Sequence, residues 1–135
     1  LLIERKEKRA EFLSWAIKKL NTGKRIEIIC DEVENVARNS EYEATIDFVT
    51  ARSFAPPPIT AECACRFLKK NRYLVVSEPP NTTNRWENSA LKETGFIPLK
   101  ATKQENGTFQ VLELLQEPSN RLPRRPGIPR KRPLW

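Results

Sequence analysis

The chain contains neither histidine nor methionine. Without histidine it lacks both the commonest metal ligand and the side chain that most often serves as a general base near neutral pH. Proton abstraction by an imidazole is therefore excluded from any chemistry assigned to these residues. The absence of methionine, with an opening Leu1-Leu2-Ile3 that reads as the end of a strand, leads to the expectation of a piece of a longer protein. Cysteine is scarce and odd in number: Cys30, Cys63 and Cys65 form no Cys-x-x-Cys pair, against a disulfide framework or a zinc site. Cys63 and Cys65, two apart on a helical pattern, point about 200° from one another and chelate poorly. All three are expected to be reduced core residues, and no metal is expected. Apolar runs such as Tyr73-Leu-Val-Val76 are far too short to span a bilayer, and no leader-like segment opens the chain. A cytoplasmic protein without a membrane partner is expected, in monomeric form.

Charge is concentrated. Residues 121–135 hold six of the 24 basic side chains and none of the 17 acidic ones, which leaves the preceding residues close to neutral. Pro123, Pro126, Pro129 and Pro133, with Gly127, disfavour a continuing helix and favour an extended run. Along it Arg124, Arg125, Arg130, Lys131 and Arg132 can meet successive phosphates of a nucleic acid. Two alternatives stand beside this: a solvated terminus, and a tail folded back so that Leu134 and Trp135 cover apolar surface. The division expected is a globular part over 1–120 and a basic, proline-rich tail over 121–135. An apolar fraction of 39% suffices for one modest core in the former.

Hydrophobic spacing orders the rest. Ala10, Leu13, Ala16, Ile17 and Leu20 make one stripe of a helix that runs to about Leu20 and stops at Asn21-Thr-Gly23. Arg25-Ile-Glu-Ile-Ile-Cys30 reads as a strand, and Asp31-Glu-Val-Glu34 as the opening of a short helix. A strand over Ile46-Asp-Phe-Val-Thr50 precedes three prolines, after which Ile59, Cys63, Ala64, Phe67 and Leu68 mark the buried side of a second helix. Tyr73 to Ser77 is a further strand and Trp86 to Thr94 a short helix. Strands separated by helices at this rhythm predict an α/β fold with a parallel sheet. The Glu105-Asn-Gly107 turn between Phe96-Ile-Pro-Leu99 and the run from Phe109 to Leu115 predicts an antiparallel pair at its end.

Ligands of open α/β sheets sit outside the carboxyl ends of the strands. Glu4 follows the first strand, and its carboxylate can accept from both hydroxyls of a ribose; the alternative is a charge favoured by the helix dipole. Val33 and Glu34 follow the second, where they can frame an adenine. Arg52 follows the third and suits a carboxylate or phosphate, or else a local ion pair with Asp47 or Glu62. Trp15 falls off its helix's stripe, while Trp86 and Trp135 lie in weakly patterned surroundings; each can stack on a base, though packing is the commoner use.

Read in order, these edges resemble the later motifs of the small-subunit ribosomal RNA guanine-N7 methyltransferases, the glucose-inhibited division protein B family. Glu4-Arg-Lys-Glu-Lys-Arg-Ala-Glu-Phe-Leu13 is similar to its acidic motif, Val33-Glu34 to its adenine-side pair and Val49-Thr-Ala-Arg-Ser-Phe-Ala55 to its arginine motif. Pro123-Arg-Arg-Pro-Gly-Ile-Pro-Arg-Lys-Arg-Pro-Leu134 resembles its C-terminal signature. The resemblance implies a partial Rossmann-like class I methyltransferase domain whose first, central strand and glycine-rich loop lie before Leu1. It also implies S-adenosyl-L-methionine as cofactor, held by Glu4, Val33, Glu34 and Arg52, and 16S ribosomal RNA or the small ribosomal subunit as partner. Ser77-Glu-Pro-Pro80 departs from the family's lysine-glycine ending after the strand that closes at Ser77. The rival readings are a non-catalytic RNA-binding remnant and another Rossmann-like nucleotide-dependent enzyme.

Overall fold

A computed structural model describes residues 1–22, 25–80, 84–105 and 107–135. Its first two strands are short because they have only each other: β1 (Leu2–Ile3) and β2 (Ile28–Ile29) pair in parallel, Leu2 opposite Ile28 and Ile3 opposite Ile29. The strand expected over 25–30 is thus cut to two residues, since β1 offers no more backbone to pair with. Between them runs α1 (Glu7–Lys19), and α2 (Val33–Val36) follows β2. Leu20, expected on the buried stripe of α1, is 73% exposed beyond the helix end. Gly23 of the expected stop signal lies outside the described residues.

The larger sheet runs in the order β3 (Ile46–Arg52), β4 (Leu68–Glu78), β7 (Gly107–Leu114), β5 (Phe96–Pro98), with β6 (Thr102–Gln104) beside β7. Strand β3 pairs in parallel with β4, and α3 (Pro57–Ala64) connects them. Prolines begin α3 because the first turn leaves its backbone N–H groups unpaired in any case. The helix stops earlier than the apolar spacing predicts. The carbonyls of Arg66 and Phe67 accept from Ala44, Thr45 and Ile46 N–H, so the chain is already extended when Leu68 pairs with Ile46. A 3₁₀ helix over Ser89–Thr94 leads to β5, β6 and β7. Strand β7 lies antiparallel to β4, β5 and β6, which is the expected antiparallel ending. Asn106 of the expected turn lies outside the described residues.

The main core packs Leu68, Leu74 and Val76 of β4 and Leu112 and Leu114 of β7 with Phe96, Leu91 and Trp86. Trp86, read from the sequence as weakly placed, is 3% exposed, and its indole N–H donates to Glu78 Oε1 at 2.9 Å. Cys63 and Cys65 are buried as expected, whereas Cys30 is exposed just past the short β2. A smaller cluster of Val36, Ala37 and Phe67 joins Ile3 and Ile29 of the small sheet to Ile46 and Val49 of the large one. The facing edges of β1 and β3 leave a cavity of about 320 Å³, lined by Leu1 to Ile3 on one side and by Phe48 to Ala51 on the other. The gap falls where the expected central strand would stand between them. Among the described residues no helix is long and apolar enough to cross a membrane.

Candidate functional site

The carboxyl ends of β1, β2 and β3 converge on a cavity of about 300 Å³ that brings together Glu4, Val33, Glu34 and Arg52, with Arg130 from the tail on its wall. Each side chain is set there by its own turn. Glu4 ends β1, where its N–H donates to Ile29 O; its Oε1 accepts from the Lys6 N–H at 2.9 Å, just before α1. Arg9, one turn on, reaches within 3.8 Å of the other oxygen. A carboxylate has about four acceptor positions, so these contacts orient Glu4 and leave it able to take hydroxyl donors from a ligand.

Arg52 ends β3 and forms no ion pair among the described residues. Both local partners considered from the sequence are engaged elsewhere: Asp47 by Lys69 and Arg72, Glu62 by Arg124. Ser53 then adopts φ 50°, a left-handed conformation unusual for a residue with a side chain. This sharp corner turns the chain so that Arg52, Ser53 and Phe54 line two cavities, the one just described and a second of about 540 Å³ at the carboxyl ends of β3 and β4.

Glu34 lines the first cavity yet is only 5% exposed, because its Oε1 accepts from the Gly127 N–H at 3.2 Å. It ties down the tail. The extended path expected for residues 121–135 is replaced by a folded one: Leu122, Pro123 and Pro129 are buried, and α4 (Ile128–Lys131) begins after Gly127 at φ 78°. Proline content does not oppose α4, since Pro129 stands in its first turn, where a missing N–H costs nothing. Leu134 and Trp135 pack against the main core, the folded-back alternative considered from the sequence. Arg124 is directed inward to Glu62, while Arg125, Arg130, Lys131 and Arg132 remain exposed.

Four side chains, Arg130, Glu62, Glu78 and Arg85, have roles that sequence reasoning did not assign. Arg130 was read only as a phosphate contact, yet it borders the cavity and lies near Cys63. Burial pushes the Cys63 thiol well up, with the neighbouring carboxylates of Glu34 and Glu62 adding to the rise and Arg130 opposing it. Glu62 was named from the sequence only as a local partner for Arg52, whereas it pairs with Arg124, 62 positions away. Glu78 with Arg85 was missed altogether.

The profile of the family described as rRNA small subunit methyltransferase G matches residues 1–106. The chain is similar to the ribosomal RNA small subunit methyltransferase G of Dictyoglomus thermophilum, at 34% identity over 140 residues covering 98% of the chain and 58% of that protein. Its counterpart in Lactobacillus helveticus is 28% identical, with the same 98% and 58% covered. The chain thus spans about 58% of the length of these curated relatives. Among solved structures it is similar to the antibiotic-resistance methyltransferase Kmr, with TM-score 0.61 and 15% identity over 84% of the chain and 73% of that protein. A SAM-dependent methyltransferase from Aquifex aeolicus gives TM-score 0.58 and 18% identity over 84% and 67%. These likenesses establish the Rossmann-like α/β fold.

Proposed function

Because the chain belongs to the rRNA small subunit methyltransferase G family, we propose that it forms the greater part of an S-adenosylmethionine-dependent enzyme that methylates guanine N7 in 16S ribosomal RNA. In this reading the enzyme is cytoplasmic and monomeric and uses no metal. The observation that carries the reading is the convergence of Glu4, Val33 and Arg52, from three separate strand ends, on one cavity.

The described residues fit the adenosine half of the cofactor and the carboxylate of its methionine half. Glu4 accepts from the ribose hydroxyls, Val33 gives the adenine an apolar wall, and Arg52 offers a planar donor fork to a carboxylate. They do not supply the glycine-rich cradle for the rest of the methionine half: among the described residues, none of Gly95, Gly107 and Gly127 stands at the carboxyl end of β1 or β3. When bound, S-adenosylmethionine supplies a methyl group on a cationic sulfur. Guanine N7 holds a free lone pair at neutral pH, so forming the N–C bond while the C–S bond breaks requires no proton acceptor. The residues therefore act by orienting the two partners and excluding water, which suits a chain without histidine. Exposed Arg125, Lys131 and Arg132 supply grip on the RNA backbone that is independent of sequence.

The test is a chimera in which residues 1–135 replace the matching segment of the Dictyoglomus thermophilum relative. It is expected to bind S-adenosylmethionine and place labelled methyl on a guanine N7 of 16S ribosomal RNA, detected by strand scission at the modified base. A folded chimera that binds RNA but transfers no methyl group would favour the RNA-binding remnant instead.

A further inference from the structure

The second cavity, across the Arg52-Ser53-Phe54 corner, has a lining that the cofactor reading does not use. Arg52 and Ser77 are register partners on β3 and β4, so the cavity opens at the same carboxyl edge as the first. Phe54 stands on its wall 41% exposed, a large aromatic face open to a ligand. Glu78 also lines the cavity, its side chain 6% exposed; its Oε2 accepts from Arg85 Nη1 at 2.6 Å and its Oε1 from the Trp86 indole. The Arg85 side chain is 32% exposed, and no other partner holds it among the described residues. A buried carboxylate therefore anchors one nitrogen of a guanidinium that is about one-third exposed in the lining of the cavity.

We propose that this cavity receives the target guanine, stacked on Phe54 with its O6 facing Arg85, and that Arg85 determines the choice of base. The proposal rests on the methyl-transfer reading and names the substrate pocket for it. Arginine only donates. Guanine presents an acceptor at O6, whereas adenine presents an amino donor at the equivalent position and is repelled. The usual bidentate contact of arginine with guanine O6 and N7 would occupy the reacting lone pair. An arginine fixed through Nη1 by Glu78 reads O6 and leaves N7 open toward the shared corner. Stacking on Phe54 adds affinity for any purine without selecting among them. Glu78 is then a positioning residue, acting through Arg85.

The experiment titrates the 135-residue chain with the 5′-monophosphates of guanosine, inosine, adenosine and 2-aminopurine riboside, following the Trp86 indole N–H resonance. Trp15→Phe and Trp135→Phe assign that signal. Guanosine and inosine, which share O6, are expected to bind at least ~10-fold more tightly than adenosine and 2-aminopurine, which lack it. Arg85→Ala erases this preference and Arg85→Lys keeps part of it, while Phe54→Ala weakens all four alike and Phe54→Tyr restores them. Circular dichroism separates these effects from unfolding, and the same titrations in the chimera cover a variant that unfolds in the chain. A Trp86 signal that moves no more with guanosine than with adenosine, or a preference that survives Arg85→Ala, overturns the proposal. Failure of the underlying reading looks different: guanine binds with the expected preference, yet the chimera transfers no methyl group.

Discussion

Arg124 wraps Glu62 with three hydrogen bonds: its backbone N–H and Nε both donate to Oε1 at 2.8 Å, and Nη2 donates to Oε2 at 2.6 Å. Glu62 sits in α3 with no exposed surface, and Arg124 begins the last stretch of chain. Two further ties hold that stretch: Arg66 donates to the carbonyls of Asn120 and Leu122, and Gly127 donates to Glu34. The tail is thereby a wall of the candidate cofactor cavity as well as a carrier of positive charge.

Breaking the Glu62–Arg124 pair from its two sides should have unequal effects. Arg124→Ala strands a carboxylate with no access to water and is expected to cost about 3–5 kcal/mol. Glu62→Gln leaves a guanidinium that is one-fifth exposed. That group can recover hydration, so a smaller loss of about 1–3 kcal/mol is expected. Urea denaturation of both variants measures the difference, and equal losses would mean that burial of Glu62 does not dominate the pair.

The three cysteines should separate by reactivity. Burial pushes the Cys65 thiol up to about 12 and holds Cys63 high as well, whereas Cys30 is exposed. Alkylation near neutral pH, read by mass spectrometry, is expected to label Cys30 alone in the folded chain and all three once it is unfolded. The same shift has a pH consequence. An unfolded Cys65 ionises near 9.0 while the folded one keeps its proton until about 12, so stability is intact below pH 9 and falls between those values. Cys65→Ala should reduce that alkaline loss, and an unchanged alkaline melting profile would contradict it.

Local pattern and tertiary pairing divide what was legible. The β-branched runs of β3 and β4, the stripe of α1 and the antiparallel ending follow from side-chain period and turn chemistry, which are local. The start of β4 was not legible, because Ala64 to Leu68 continues a helical spacing and only the hydrogen bonds from residues 44–46 extend it. The folded tail was hidden for a similar reason. Proline content favours an extended chain, whereas the outcome depends on a glutamate 62 positions away. Of the candidate site, Glu4, Val33, Glu34 and Arg52 were legible from strand ends and do meet in one cavity. That Glu34 also holds Gly127 was not, since the contact spans 93 positions.

Arg52, which forms no ion pair among the described residues, should be dispensable for folding and important for the cofactor. In the chimera, Arg52→Ala is expected to weaken S-adenosylmethionine binding by roughly 2–4 kcal/mol, as for a charge-assisted pair lost from a shielded site. Arg52→Lys should rescue little, because an ammonium lacks the planar fork. Calorimetric affinities equal to wild type in both variants would remove Arg52 from the cofactor site.

The tail offers a sharper test through charge than through truncation, because cutting it also removes Leu134 and Trp135 from the core. Arg125, Lys131 and Arg132 are exposed, so replacing all three by glutamine should leave the melting temperature almost unchanged. If they meet RNA phosphates, each loss lowers the slope of log affinity against log salt by about 0.7–0.9, or about 2–3 for the triple variant. Arg124→Gln should do the reverse, lowering the melting temperature while barely changing the slope, since its guanidinium faces Glu62. Arg130→Gln is expected to affect both RNA and cofactor affinity, because that side chain is exposed yet also borders the cavity with Glu4 and Arg52. RNA binding at several salt concentrations, set beside thermal melts, distinguishes the three behaviours. A triple variant that keeps the full salt slope would show that RNA is held by another surface.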